Sequence, residues 1–518
     1  MELELKKSTF REYVPVFSKV LSAEESVDAV VPDSKPDIAR ITDTKAFAEI
    51  SGKEQRGGKF YFSGVARCFV IYAPEGGGAP ECVPVSLAFS VGADSGKDVP
   101  IGCVARAEIE NVFAIAREQN PRRINVRVSI RIKTEILEAV DSSWCEDVLD
   151  GESFGVELLC RDVNAMTVAG TGERLLNLCE SAELGEINVE NAEFLFWKLS
   201  PEITETKLIP GKMVFKGTVG VCVLLKTPQD SSVVAHVDVS VPFSGVVDCE
   251  GADTDSVGVL KASCFDSELN LTEETGTGRG ILSVKTNIAV EALARSGQSV
   301  TVVTDIYSTT HELKASFDQV EFRSEEQSGE FRAEVKGVVP AGCGIKSVLF
   351  ADGNIEELAL GEGELSAIVR ANILFEGEDG ETYAASKLIK ATAPSEGMEY
   401  GKIVFSKLSG ESFRISSAEE IEFSATVSVV AEHSRSETVN ILSAASVSER
   451  AARGRAPSLT LCGILEGESW WELGKRMSAS VDEIMSANGI EDGEPPKDRM
   501  LLIPQKANCR RKTEGGAN

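Results

Sequence analysis

Histidine is nearly missing from this chain: three residues in 518, at His236, His311 and His433. All three sit far apart in strand-like surroundings, and none has a metal-ligand spacing to another histidine or a cysteine. No metal centre and no histidine general base is expected. Cysteine is present, 12 residues from Cys68, Cys82, Cys103 and Cys145 onward to Cys509, but scattered singly. Without a C-x-x-C pair there is neither a zinc motif nor a disulfide framework. The cysteines are expected to be small buried hydrophobes kept reduced. No stretch approaches the roughly 20 apolar residues of a membrane helix. The opening MELELKKSTFREYVPVF has neither the basic head nor the apolar centre of a secretory signal, so a cytoplasmic location is expected. Basic residues are outnumbered, 53 against 82 acidic, for a net charge of −29. That balance argues against non-specific binding to nucleic acid or to an anionic membrane.

Phosphate-binding and catalytic patterns are also lacking. Gly276-Thr-Gly-Arg-Gly280 precedes a strand and has no Lys-Ser/Thr after it, so it reads as a hairpin turn. Gly170-Thr-Gly172 leads into Glu173-Arg174-Leu175-Leu176 and carries no phosphate signature. Carboxylate pairs such as Asp141 with Glu146 are ordinary in so acidic a chain. The expectation is a non-enzymatic protein with no cofactor.

What the chain does have is apolar alternation. At 42% apolar residues over 518 positions, it has room for roughly three to four domains with buried cores. Glu25–Ile41 contains Pro32 and Pro36, which impose extended or turn geometry on Val31 and Lys35, and reads as an extended arm entering the first domain. Aromatic and β-branched runs then alternate with Gly, Pro, Asn and Asp turns to about residue 435.

A repeat emerges. Phe62-Ser-Gly64 opens FYFSGVARCFVIY, Phe215-Lys-Gly217 opens MVFKGTVGVCVLL, and Leu365-Ser-Ala367 opens a third such strand, at intervals of 153 and 150 residues. Polar hairpin tips follow at Pro74–Gly78, Lys226–Ser231 and Glu376–Gly380. Each copy ends in period-two alternation: Ile124 to Ile132, Leu282 to Val290, and Ile421 to Val429. Such alternation predicts a sheet with one buried face. Segments from Asp162 (DVNAMTVAGTGERLL) and Asp305 (DIYSTTHELKASF) align as connectors. The fold class expected is mainly β: three β-rich repeat domains of sandwich or barrel type, followed by a small α+β module. The divisions are 1–155 (arm and repeat 1), 156–300, 301–436, a linker at 437–458 with Arg450, Arg453 and Arg455, a module at 459–505, and a disordered tail at 506–518 containing Arg510-Arg511-Lys512.

The module spells strand, helix, helix, strand. Ser469 with Glu472 and Ser480 with Glu483 each have capping-box spacing. Trp470, Leu473 and Met477 share one helical face, as do Val481, Ile484 and Met485. Asn488-Gly489 ends the second helix. Apolar runs at Leu459–Leu465 and Met500–Ile503, the latter closed by Pro504, flank the pair. Trp470 and Trp471 point about 100° apart, so with Trp470 on the core side Trp471 is the candidate surface contact.

This pattern resembles the LysM family. The matching residues are Gly467, Glu468, Ser469, Trp471, Leu473, Lys475, Arg476, Val481–Ile484, Ala487-Asn488 and Leu501–Pro504. The resemblance implies a groove between two loops that holds N-acetylglucosamine polymers. Its candidate contacts are Gly467, Glu468, Ser469, Trp471, Lys475, Ile484, Asn488 and Gly489. The chain departs from the family at Cys462, where an aromatic is usual, and at Asp498, where glycine is usual.

The arm VVPDSKPDIARI, the F-x-G openings and DIYSTTHEL are similar to the SPOCS domain, a β-rich repeat of spore-forming bacteria. Three SPOCS-like copies followed by one LysM is the arrangement of the SipL type of spore-coat morphogenetic protein. That resemblance implies a non-enzymatic scaffold in the mother-cell cytoplasm at the forespore surface. Its LysM would dock on a SpoIVA-type coat ATPase, and its repeats would recruit other coat proteins. The alternative implied by LysM alone is a cell-wall protein that binds peptidoglycan- or chitin-type glycan.

Overall fold

The computed structural model describes all residues except 95, 97, 186, 188, 228–233, 274–278, 362, 396–397, 399–400, 451–458, 492, 497–498 and 505–518. Arg453, Arg455, Asp498, Cys509, Arg510–Lys512, the expected tail, and parts of the Lys226–Ser231 tip and of Gly276–Gly280 therefore lie outside the described residues.

The chain is mainly β, and one six-strand topology occurs three times. The first unit comprises β1 (Leu5–Val30), β2 (Ile38–Arg56), β3 (Lys59–Pro74), β4 (Glu81–Ala93), β5 (Val104–Asn120) and β6 (Arg123–Val148). Its middle strands form the sheet β2-β3-β4, and its outer strands form β1-β6-β5, all antiparallel. The second unit repeats this with β7 (Val156–Glu183), β8 (Glu193–Ile209), β9 (Lys212–Lys226), β10 (Val234–Asp248), β11 (Val257–Glu273) and β12 (Gly280–Ser308). The third uses β13 (Glu312–Pro340), β14 (Ile345–Gly361), β15 (Glu364–Gly377), β16 (Thr382–Pro394), β17 (Lys402–Ser417) and β18 (Glu420–Ser448). Their sheets are β8-β9-β10 with β7-β12-β11, and β14-β15-β16 with β13-β18-β17. In every unit the two sheets face each other and their edges meet on both sides, β1 beside β4 and β5 beside β2 in the first.

The alternating strands supply the inner faces. Ile124, Val126, Val128, Ile130 and Ile132 are fully buried, as are Leu282 to Val290 and Ile421 to Val429 at alternate positions. Burying each such Val or Ile contributes about 1.5–3 kcal/mol, which is why the register is fixed. The repeated F-x-G opening has a packing reason. A Cβ on Gly64 would stand 2.0 Å from the Glu49 carbonyl and 2.7 Å from the Phe89 ring. On Gly217 it would meet the Glu202 carbonyl at 2.4 Å and Phe243 at 2.5 Å. Phe89 and Phe243 are the cross-strand partners of those glycines, and in the third unit the pair is Ala367 with Ala391. A glycine under a phenyl ring is exchanged for two methyls.

The long outer strands run beyond their sandwiches. A register shift marks the departure: between Pro15 and Phe17, between Ala294 and Arg295, and between Arg323 and Glu326. Past it, each unit extends as a two-stranded ribbon, and the three ribbons pack into one stalk. Its core takes Trp144 and Val148 from the first unit, Val302 and Ile306 from the second, and Val439 and Leu442 from the third. Leu3 N–H donates to the Ala445 carbonyl at 2.9 Å, joining the first unit to the third. At the other end, Phe47 and Phe69 of the first unit, Phe196 and Trp197 of the second and Phe350 of the third meet in one aromatic cluster. Lys45 lies beside it, buried, paired to Asp43 at 3.2 Å and to Asp352 at 2.8 Å across the unit boundary.

Three expectations are corrected here. The arm at 25–41 is the end of β1, a turn and the start of β2; the turn is held by Arg122, which donates to the carbonyls of Val31 and Pro32 at 3.2 and 2.9 Å. Residues 437–448, expected as linker, are strand, because Val439, Ile441, Leu442, Ala445 and Val447 face the stalk core. The segments at Asp162 and Asp305 are not equivalent connectors. Asp162 lies early in β7 and Asp305 late in β12, where they belong to the two strands of one ribbon.

Candidate docking site at the C-terminal module

Two short strands, β19 (Leu459–Cys462) and β20 (Leu501–Pro504), pair antiparallel and are covered by α1 (Trp470–Met477) and α2 (Val481–Ala487). Ser469 forms the expected capping box, its hydroxyl accepting from the Glu472 N–H. Ser480 makes no side-chain cap bond; it is buried, and the second expected box is not formed. Leu473, Ile484, Leu501 and Ile503 are fully buried and form the core, with Trp470 and Met477 packed against it.

The candidate groove residues divide by what they touch. Gly467 and Gly489 take left-handed turns at φ 78° and 64°, which favour glycine. Glu468 receives Arg476 at 2.6 and 2.8 Å and the Leu465 N–H at 2.9 Å. The Arg476 guanidinium holds its carboxyl below the usual glutamate range. Asn488 staples α2 to β20, donating to the carbonyls of Ile484 and Leu502 and accepting the Leu502 N–H at 2.8 Å. Ile484 is core. Trp471 and Lys475 face the stalk: the Trp471 indole N–H donates to Asp305 at 2.8 Å, and Lys475 reaches both Asp305 oxygens at 2.7 Å.

Asp305 and its neighbour Tyr307 are what sequence reading missed, although it had singled out the DIYSTTHEL segment. Tyr307 stands edge-on to Trp471 with ring centroids 4.7 Å apart, and its hydroxyl donates to the Ala479 carbonyl at 2.9 Å. Arg450 adds a bond to Ser478 at 2.8 Å. Burial opposes ionisation of Asp305, but the hydrogen bonds from Lys475 and Trp471 outweigh it and hold its carboxyl below the usual range. The module is thus seated on the end of the second ribbon.

Its opposite surface is open. Leu461 and Leu502 are cross-strand partners pointing away from the helices, and Leu459 shares their face. Leu465 follows β19 and Met500 precedes β20, and Leu461, Leu465 and Met500 are each 60% exposed. Among the described residues no helix is long and apolar enough to cross a membrane.

A second cluster also escaped sequence reading. Cys222, His236 and Asp238 converge on the β9–β10 hairpin, with their ligand atoms within 4.8 Å of one another. A tip at Lys226–Ser231 would set Cys222 opposite Ala235, whereas the observed register pairs Lys226 with Val234 and Cys222 with Asp238. The correct register was the signal that would have found it.

No curated protein and no solved structure matches the chain. Residues 192–271, which run from β8 into β11 of the second unit, match the family model for the SipL SPOCS domain, a non-catalytic sporulation-associated domain.

Proposed function

We propose that this chain is a non-enzymatic scaffold of spore-coat morphogenesis, working from the mother-cell cytoplasm at the forespore surface. In this reading its C-terminal module is a LysM-type domain that docks onto a SpoIVA-type coat ATPase, and the three units gather other coat proteins. The observation that carries the reading is that the matched segment belongs to a six-strand unit whose topology recurs on both sides of it.

The partner surface we assign comprises the turns at Gly467–Ser469 and Asn488-Gly489 with the neighbouring aliphatic face. Exposed Leu459, Leu461, Leu465, Met500 and Leu502 suit a protein partner, because apolar patches of this kind mark protein contacts. Glycan recognition relies on aromatic stacking and convergent polar groups. Here Trp471 is engaged by Tyr307 and Asp305, and the Trp470 indole N–H by the Gly493 carbonyl at 2.7 Å. Two experiments test the reading. A strain lacking the protein should fail to assemble coat around the forespore; normal coat would sink the scaffold role. The purified chain should show little retention on insoluble peptidoglycan; strong retention would return the module to glycan binding.

A further inference from the structure

The β9–β10 hairpin gathers three side chains of metal-ligating type at one point. Cys222 is the cross-strand partner of Asp238, and His236 lies two residues before Asp238 on the same face. Cys222 Sγ is 3.5 Å from His236 Nε2. The same nitrogen is 3.3 Å from Asp238 Oδ2. A nucleophile–base relay would use the two ring nitrogens in turn, one for the thiol and one for the carboxylate. Here sulfur and oxygen both address one nitrogen, as ligands around a common centre do.

The spacings match that centre. A tetrahedral zinc ion with Zn–S about 2.3 Å and Zn–N and Zn–O about 2.0–2.1 Å has an S···N edge of about 3.5 Å and an N···O edge of about 3.4 Å. The two observed separations, 3.5 and 3.3 Å, match these edges, and all three ligand atoms lie within 4.8 Å of one another. We propose that Cys222, His236 and Asp238 bind one Zn(II) ion, with water in the fourth position on the side where His236 and Asp238 are exposed.

The surroundings support the assignment. Phe350 of the third unit stands edge-on to the His236 ring, centroids 4.9 Å apart, and so limits its rotation. Lys198 lies across from Cys222 on β8, and Asp352 of the third unit, paired with Lys45, also acts on Cys222. The positions equivalent to Cys222, aligned on Gly64, Gly217 and Ala367, are Phe69 and Asn372. The site therefore belongs to the second unit alone, at its junction with the third.

The test is a titration of the reduced, metal-stripped full-length chain with Co(II), followed by competition with Zn(II). The expected result is a thiolate-to-cobalt charge-transfer absorption saturating at one ion per chain. Cys222→Ser should abolish that absorption. His236→Ala should weaken Co(II) binding at least about 10-fold, since loss of even an outer-shell partner costs 10–100-fold. His311→Ala should change neither. Circular dichroism establishes that the variants fold, and because His236 is exposed, His236→Ala carries the test alone should Cys222→Ser not fold. No charge-transfer absorption in the unaltered chain, or an equal affinity in His236→Ala, would overturn the proposal.

Discussion

Replacing Trp471 by alanine should release the C-terminal module from the stalk without unfolding either. The indole donates to the Asp305 carboxylate at 2.8 Å and packs edge-on against Tyr307 at 4.7 Å. A hydrogen bond to a charged acceptor contributes about 1.5–3 kcal/mol. An edge-to-face aromatic pair adds about 0.5–1.5 kcal/mol. The half-exposed Lys475 pair with Asp305 survives the change but is worth only about 0–1 kcal/mol. Docking should weaken by about 2–4 kcal/mol, or roughly 30- to 1,000-fold in the docked-to-free ratio. The module keeps its own core of Leu473, Ile484, Leu501 and Ile503, and the hydrophobic cores of the three units contain no module residue. Hydrogen exchange should therefore rise at residues 305–309 while protection within α1 and β20 is retained, and small-angle scattering should show a larger radius of gyration. Unchanged exchange at 305–309 with an unchanged scattering curve would mean that the indole does not hold the module on the stalk. Loss of protection throughout α1 would mean that the indole supports the module's fold instead.

Tyr307→Phe should weaken the same contact by about 1–3 kcal/mol, because it leaves the Ala479 carbonyl without its donor, and hydrogen exchange at 305–309 reads the effect. Asp305 has a lowered pKa in the folded chain, so its contribution to docking is fully present above the ordinary aspartate value of about 3.9 and is lost as pH falls through the folded value; scattering along a pH titration should show the docked form at pH 7 and docking weakening only below that ordinary value. Gly217→Ala should destabilise the second unit by about 1–3 kcal/mol in a thermal melt, and adding Phe243→Ala should recover part of the loss, as the Ala367–Ala391 pair does in the third unit. Lys45→Met leaves Asp43 and Asp352 unpaired at the unit boundary and should cost about 3–5 kcal/mol in denaturant unfolding, more than Asp352→Asn.

The inner faces of the sheets were legible because a strand writes its burial at period two, and Ile124 to Ile132 could only point one way. The same rule fails along the ribbons. In residues 437–448 the small residues Ser443, Ala444, Ala445 and Ser446 dilute the apolar signal, and the burial that fixes them comes from two other units. Self-comparison aligned Asp162 with Asp305 because composition carries no strand direction; the two lie on opposite strands of one ribbon. Helix caps were legible in part. Ser469 is exposed and makes both reciprocal bonds, while Ser480 is buried and makes no side-chain cap bond despite its spacing. Trp471 read as a surface contact because a heptad-scale pattern shows only the module's own core, and nothing local announces that Asp305, 166 positions away, is its acceptor. The Cys222 cluster was hidden by register, which a hairpin tip displaced by a few residues changes completely.

In the proposed function the module is the docking element of a coat scaffold. Co-purification of a SpoIVA-type ATPase from the same source tests it, using the full-length chain, a chain truncated before Leu459, and Leu461→Glu on the open face. That role predicts capture by the full-length chain, loss on truncation with the three units still folded, and at least about 10-fold weaker capture by Leu461→Glu, since burying an unpaired charge costs several kcal/mol. Undiminished capture by the truncated chain would contradict it and move recognition to the β-units.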